Sequence, residues 1–125
     1  MDANKRESNI KEVIGAAYEV SNVLGAGSLE KVYERALMGE LRSRGLKVES
    51  QVSFPVNYKG SMVGEYFADI IVEDEIVVEL KCVESFVNEH LAQCLNYLKA
   101  SGRHIALLIN FQHPKVEWKR IVLDL

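Results

Sequence analysis

The chain has 125 residues and a mass of 14.1 kDa, a size at which one domain can bury a continuous core without disulfides or metals. Its composition, 48% hydrophobic and 26% charged, is that of an ordinary globular protein, and no apolar run approaches the ~20 residues of a membrane span. The net charge of −3 argues against tight, autonomous binding of long duplex nucleic acid. We therefore predict one globular domain over residues 1–125 and no membrane partner.

The N-terminal segment and the cysteines indicate where the chain resides. The first eight residues are charged and lack the apolar core of a signal peptide. Cys82 and Cys94 do not have the spacing of a metal site. Cytoplasmic residence with free thiols is the expectation that follows.

Hydrophobic periodicity and turn residues divide the chain into eight elements. They are helices at 9–24 and 28–44, strands at 46–58, 62–72 and 76–82, a helix at 88–100, and strands at 104–111 and 116–123. Asn9 and Glu12 resemble a capping box at the start of the first helix. The first strand is expected to bend near Phe54-Pro55, because proline has no N–H to donate.

The order ααβββαββ predicts an α/β fold. Three consecutive strands with short turns form a meander, and the later helix connects two strands as a β-α-β crossover. A mixed sheet with helices packed on it is the expected architecture.

Two opposite charges lie inside the apolar strand 76–82. Glu79 and Lys81 are two residues apart and so point to one face of the strand, while Val78 and Leu80 point to the other. Burying such charges costs roughly several kcal/mol unless they are paired or bind a ligand. The pattern predicts a partner for both side chains.

Asp69 is the first candidate for that partner. A three-residue turn at 73–75 would pair positions whose numbers add up to 148, which places Asp69 opposite Glu79 with Cβ atoms about 5 Å apart. Two facing carboxylates favour a hard divalent ion such as Mg²⁺, and Lys81 could then orient a bound water. A cross-strand salt bridge of Lys81 with Asp69 or Glu79 explains the same pattern without chemistry, and the sequence alone leaves both interpretations open.

Two helical motifs could complete such a site. Glu30 and Tyr33 are one turn apart at the start of the second helix, where Glu30 is either an additional acidic ligand or a carboxylate that stabilises the helix N-terminus. Gln93 and Tyr97 share a face of the later helix. Gln93 could position a substrate phosphate or base, although a surface glutamine and a core tyrosine account for the spacing equally simply.

These motifs together resemble known nucleases. Asp69-x9-Glu79-x-Lys81 is similar to the centre of the PD-(D/E)xK nuclease superfamily, and Gln93-x-x-x-Tyr97 resembles a motif of its RecB-like exonucleases. Gly27-x-x-Glu30-x-x-Tyr33, with the run 51–58 and Asn110-Phe111, resembles the bacterial GxxExxY proteins over nearly the whole chain. The proline of the superfamily name is absent here, since Phe67-Ala68 precede Asp69.

The resemblance implies a restriction-endonuclease-like fold and a Mg²⁺- or Mn²⁺-dependent endo- or exodeoxyribonuclease. Asp69, Glu79 and Glu30 would be metal ligands, and Lys81 would be catalytic together with Asp69 and Glu79. Gln93 and Tyr97 would support the site or contact the substrate. DNA is the implied substrate, RNA less so, and a homodimer or a partner protein would supply substrate selection. The alternative is a non-catalytic nucleic-acid or protein interaction module that keeps the nuclease fold.

Overall fold

A computed structural model describes residues 2–124. In chain order its elements are α1 (Ala3–Leu24), α2 (Glu30–Ser43), β1 (Val48–Tyr58), β2 (Ser61–Val72), β3 (Ile76–Lys81), α3 (Asn88–Ser101), β4 (Ile105–Asn110) and β5 (Glu117–Val122). The predicted order ααβββαββ is confirmed.

The five strands form one mixed sheet in the spatial order β1-β2-β3-β4-β5. Neighbouring strands are antiparallel except β3 and β4, which are parallel because α3 carries the chain back across the sheet between them. The meander and the β-α-β crossover are therefore both present.

Helices cover both faces of the sheet. Helices α1 and α2 pack on one face around Tyr33, Leu37 and Leu80, and α3 packs on the other around Cys94, Leu98 and Val77. The central strands are accordingly apolar on both faces: β4 is buried throughout, and in β3 only Lys81 is not fully buried. The resulting three layers match the predicted restriction-endonuclease-like architecture.

The predicted start of the first helix is wrong. Helix α1 begins at Ala3, and its N-cap is Asp2, whose side chain accepts a hydrogen bond from the Lys5 amide at 2.8 Å. Asn9 is consequently buried within the helix instead of capping it. Strand β1 lies at the edge of the sheet, as Pro55 predicted, and its register shifts between Val56 and Asn57, just after the predicted position.

The β1–β2 hairpin is longer than the rest of the sheet. Its strands have 11 and 12 residues, whereas β3, β4 and β5 have 6 each. Within the described chain, residues 61–68 of β2 pair with β1 alone, since pairing with β3 is confined to Ile70, Ile71 and Val72. The outer half of the hairpin, residues 53–67, therefore extends past the end of β3 as an arm, in which Phe54 packs against Tyr97 of α3.

Of the helices within residues 2–124, none combines the length and the apolar character needed to cross a bilayer.

Candidate active site

The site forms where β2 and β3 separate. Their paired residues add up to 148 (Ile70 with Val78, Ile71 with Val77, Val72 with Ile76), as the turn predicted. Beyond these pairs, side chains connect the strands. The Asp69 amide donates to Glu79 Oε1 at 3.2 Å, and the Leu80 amide donates to Asp69 Oδ2 at 2.8 Å. The predicted juxtaposition of the two acids is therefore present.

Asp69 lies at a break in the alternation of β2. Ala68 and Ile71 both pack in the core beneath α3, although a spacing of three should place them on opposite faces. The break matches one in β1, where Val48 packs beneath α1 and α2 but Val52 packs beneath α3. Asp69 consequently lies between Glu79 on one side and the residues of α2 on the other.

The surroundings of the two carboxylates disfavour their ionised forms. Glu79 is only 9% exposed, and burial followed by the negative charge of Asp69 raises its pKa to about 8. Burial is also the largest cause of the raised pKa of Asp69, to which the nearby charge of Glu34 adds. Hydrogen bonding from Leu80 and the charge of Lys81 lower the Asp69 pKa only in part. A cation between these groups would stabilise their ionised forms.

Lys81 follows Glu79 on the same face of β3. Both side chains line a cleft of about 320 Å³, whose walls come from β2, β3 and α3. Within residues 2–124 the Lys81 ammonium makes no ion pair, so the cross-strand salt bridge left open by the sequence is not formed. The ammonium remains available to a ligand in the cleft.

The end of β3 is fixed by β4. The Phe111 amide donates to the Lys81 carbonyl at 2.9 Å. The buried Asn110 side chain accepts from the Val83 amide at 3.1 Å and donates to the Val83 carbonyl at 2.8 Å. Asn110 therefore holds the chain immediately after Lys81, a role that its place in the sequence did not reveal.

Glu30 is positioned by the loop between α1 and α2. Gly27 has a φ of 98°, which a residue with a side chain rarely adopts. The Tyr33 hydroxyl donates to the Gly25 carbonyl at 2.6 Å and accepts from the Ser28 amide at 3.2 Å, and its ring stacks on Phe111. Gly27 and Tyr33 thus shape the turn that sets Glu30 as the first residue of α2.

The charge of Glu30 is linked to the strand acids. Burial of its carboxylate and the charge of Asp69 raise its pKa, while Lys81 and the backbone N–H of Cys82 lower it. These interactions place Glu30 beside Asp69 of β2 and the end of β3, although the residue as a whole is exposed. It borders a second cleft, of about 250 Å³, together with Asp69.

Glu34 and Gln51 also belong to this second cleft, and sequence reasoning gave them no role there. Glu34 is 5% exposed and accepts hydrogen bonds from Gln51 Nε2 at 2.9 Å and Lys31 Nζ at 2.7 Å. Its position one helical turn after Glu30 is the one signal that could have found it.

Gln93 and Tyr97 both line the cleft with Lys81 but differ in exposure. Gln93 is exposed and is therefore accessible to a ligand in the cleft. Tyr97 is 2% exposed, donates its hydroxyl to the Val52 carbonyl at 3.2 Å, and packs edge-on against Phe54. Tyr97 therefore joins α3 to β1 and forms the floor of the cleft.

The donor set fits a hard divalent ion better than zinc. Among residues 2–124, no three His, Cys, Asp or Glu side chains are grouped so that they could hold a metal ion. A structural or catalytic zinc site takes three or four protein ligands. Mg²⁺ keeps several waters and commonly takes one or two carboxylates, which the adjoining Asp69 and Glu79 can supply.

Comparison with known proteins agrees with this fold and gives the superfamily of the chain. Residues 7–121 match the profile of the PD-(D/E)XK nuclease superfamily, and the chain belongs to that superfamily. No curated protein sequence matches it significantly.

Solved structures share the fold at low sequence identity. SSO0001 superposes with a TM-score of 0.63 at 20% identity, covering 77% of this chain and 51% of that one. This chain therefore spans about half the length of SSO0001. LHK-Exo, an alkaline exonuclease from Laribacter hongkongensis, superposes with a TM-score of 0.51 at 15% identity, covering 86% of this chain and 76% of its own. A further structure of LHK-Exo, in complex with dAMP, gives a TM-score of 0.52.

Proposed function

We propose that this protein is a Mg²⁺- or Mn²⁺-dependent nuclease that hydrolyses phosphodiester bonds in DNA. The observation that carries the proposal is the joining of Asp69 and Glu79 beyond the last paired residues of β2 and β3, with Lys81 unpaired beside them. Superfamily membership supports a nuclease, and such nucleases typically use divalent metal ions. The likeness to an alkaline exonuclease, one structure of which contains dAMP, supports a nucleic-acid substrate.

Each residue has a distinct role in this proposal. Asp69 and Glu79 would hold the ion directly, and Glu30 would bind it or hydrogen-bond its water. The bound ion would supply Lewis-acid activation of a water molecule and neutralise phosphate charge. Lys81 would orient the attacking water and stabilise the charge that develops on the phosphate. Gln93 would position the substrate, and Tyr97 would keep the cleft floor in place.

A cleavage assay tests the proposal directly. Labelled single-stranded and duplex DNA are incubated with the protein in Mg²⁺, Mn²⁺ or EDTA. Cleavage is expected only with the metals, and Glu79→Gln or Lys81→Ala should lower the rate by about 100-fold or more, the size of effect seen when one electrostatic group is lost from a catalytic site.

Matched controls keep that result specific. Glu89→Gln and Lys99→Ala change an exposed acid and an exposed lysine on α3, neither of which borders the cleft, and both should cleave like the wild type. Absence of cleavage on DNA and RNA, together with absence of Mg²⁺ or Mn²⁺ binding by calorimetry, would refute the nuclease proposal.

One observation favours a second candidate, a non-catalytic interaction module. The tip of the β1–β2 arm exposes three large apolar side chains, Tyr58, Met62 and Val63, which a binding partner could cover. Binding of nucleic acid or protein that is independent of metal and unchanged in Glu79→Gln, in a protein without cleavage activity, would identify this function instead.

A further inference from the structure

Two aromatic side chains of the β1–β2 arm border the candidate active site. Phe67 is 58% exposed and Tyr66 36% exposed, and both line the cleft that contains Glu79 and Lys81. Phe67 lies two residues before Asp69, where β2 no longer pairs with β3. Among residues 2–124, Phe67 belongs to neither core cluster and makes no contact with another aromatic ring.

The size of the cleft limits what can enter. Its volume of about 320 Å³ is near the lower end of the range for small-molecule sites, roughly 300–1,000 Å³. The major groove of B-DNA alone is about 12 Å wide, so an intact duplex cannot descend into such a space. One nucleotide of an unpaired strand is a better match.

The charges of the cleft indicate which contacts with a nucleic-acid strand could supply affinity. Its walls carry two acids, Glu65 and Glu79, against one cation, Lys81, and the whole chain has a net charge of −3. Phosphate contacts therefore cannot dominate the affinity of the metal-free protein. Stacking of bases on aromatic rings needs no complementary charge and tolerates any base.

We propose that Phe67 is a stacking platform for an unpaired nucleobase at the mouth of the cleft. The strand therefore reaches Asp69 and Glu79 in single-stranded form, as a free strand or a frayed end. This inference rests on the proposed function, because it names the substrate class of the same site. Phe67 is a specificity residue in this account, since it selects the form of the strand.

Binding of a fluorescent single-stranded oligonucleotide, measured by anisotropy in EDTA, tests the platform without cleavage. Phe67→Ala and Phe67→Leu should each weaken binding about tenfold, the effect of losing one stacked base. Phe67→Trp should retain affinity, because it preserves an aromatic face. Val63→Ala is the matched control, since Val63 is 63% exposed on the same strand but lies outside the cleft. Circular dichroism confirms that the variants fold.

The outcomes separate this inference from the nuclease proposal. Loss of single-strand binding in Phe67→Ala and Phe67→Leu but not in Val63→Ala supports the platform, even if the protein never cleaves. Equal binding by Phe67→Ala and the wild type, equal losses in Phe67→Ala and Val63→Ala, or no measurable binding of the single-stranded probe overturns it, even if Glu79-dependent cleavage is found. If the protein forms a concentration-dependent dimer that Phe67→Ala abolishes, while oligonucleotide binding is unchanged, then the arm is a dimer interface and the platform is overturned.

Discussion

Gln51 and Asp69 face each other across β1 and β2 at the point where both strands change the face that they present to the core. The residues on either side pair normally, Ser50 with Ile70 and Val52 with Ala68, but Gln51 and Asp69 are not paired. Gln51 has a φ of 50°, and its side chain donates to Glu34. The break delivers Asp69 to the site between β3 and α2.

This relationship predicts effects of different size for two substitutions of Gln51. Gln51→Gly and Gln51→Val both lose the bond to Glu34, but only glycine adopts a positive φ without strain. Gln51→Val should therefore be less stable than Gln51→Gly by about 1–3 kcal/mol in urea unfolding. It should also bind Mn²⁺ more weakly, as measured by calorimetry. Equal stability and metal affinity of the two variants would show that the backbone conformation of Gln51 does not position Asp69.

The raised pKa of Glu79 predicts the pH dependence of stability without metal. Because the pKa rises from 4.5 in the unfolded chain to about 8 in the folded protein, the folded state binds more protons between these values. The free energy of unfolding should therefore fall as pH rises from about 4.5 to about 8, by a few kcal/mol at most. The raised pKa of Asp69 acts in the same direction.

Thermal melts from pH 4.5 to 9 measure this slope. Glu79→Gln should flatten it, because glutamine has no charge to bury, and Mg²⁺ should raise the melting temperature more at pH 8 than at pH 5. Glu65→Gln, a change to an exposed acid on the same cleft, should keep the slope of the wild type. A slope that is unaltered in Glu79→Gln would mean that other groups cause it.

Removing the Tyr33 hydroxyl should impair Glu30 indirectly. Tyr33→Phe loses the bonds to Gly25 and Ser28 that close the loop before α2, which should lower stability by about 1–2 kcal/mol. Cleavage should also fall, and by less when Glu30 is already glutamine, because the two changes act through one group. Tyr18→Phe is the control on α1. Additive effects of Tyr33→Phe and Glu30→Gln on the cleavage rate would contradict the coupling.

The side chain of Asn110 should be essential to the end of β3. Asn110→Ala removes the side-chain partner of the partly buried amide and carbonyl of Val83, for a loss of about 1–3 kcal/mol in urea unfolding. Asn110→Asp keeps the acceptor for the Val83 amide but loses the donor to the Val83 carbonyl. The cleavage rate of this variant therefore shows which of the two hydrogen bonds matters. Wild-type stability of Asn110→Ala would show that water replaces the side chain.

The sequence predicted the elements and the β2–β3 register because both depend on local patterns. Apolar periodicity located the strands, and the short turn at 73–75 determined which residues face each other. The start of α1 was missed because Asp2 and the residues after it are polar and carry no periodic signal. The change of face at Asp69 was missed because strict alternation assumes an uninterrupted strand. Glu34 was missed because its partner Gln51 lies 17 residues away.

The arm should also open locally more often than the rest of the sheet. Residues 61–68 are bonded on one side only within the described chain, whereas β3 and β4 are enclosed by neighbours and helices. Amide hydrogen exchange should thus be fast along the arm and slow in the central strands, with the step between them at Asp69. A ligand that joins Asp69 to Glu79 would connect the arm to the central strands. Occupancy of the site would then be measurable as slower amide hydrogen exchange in the arm, without any cleavage of a substrate.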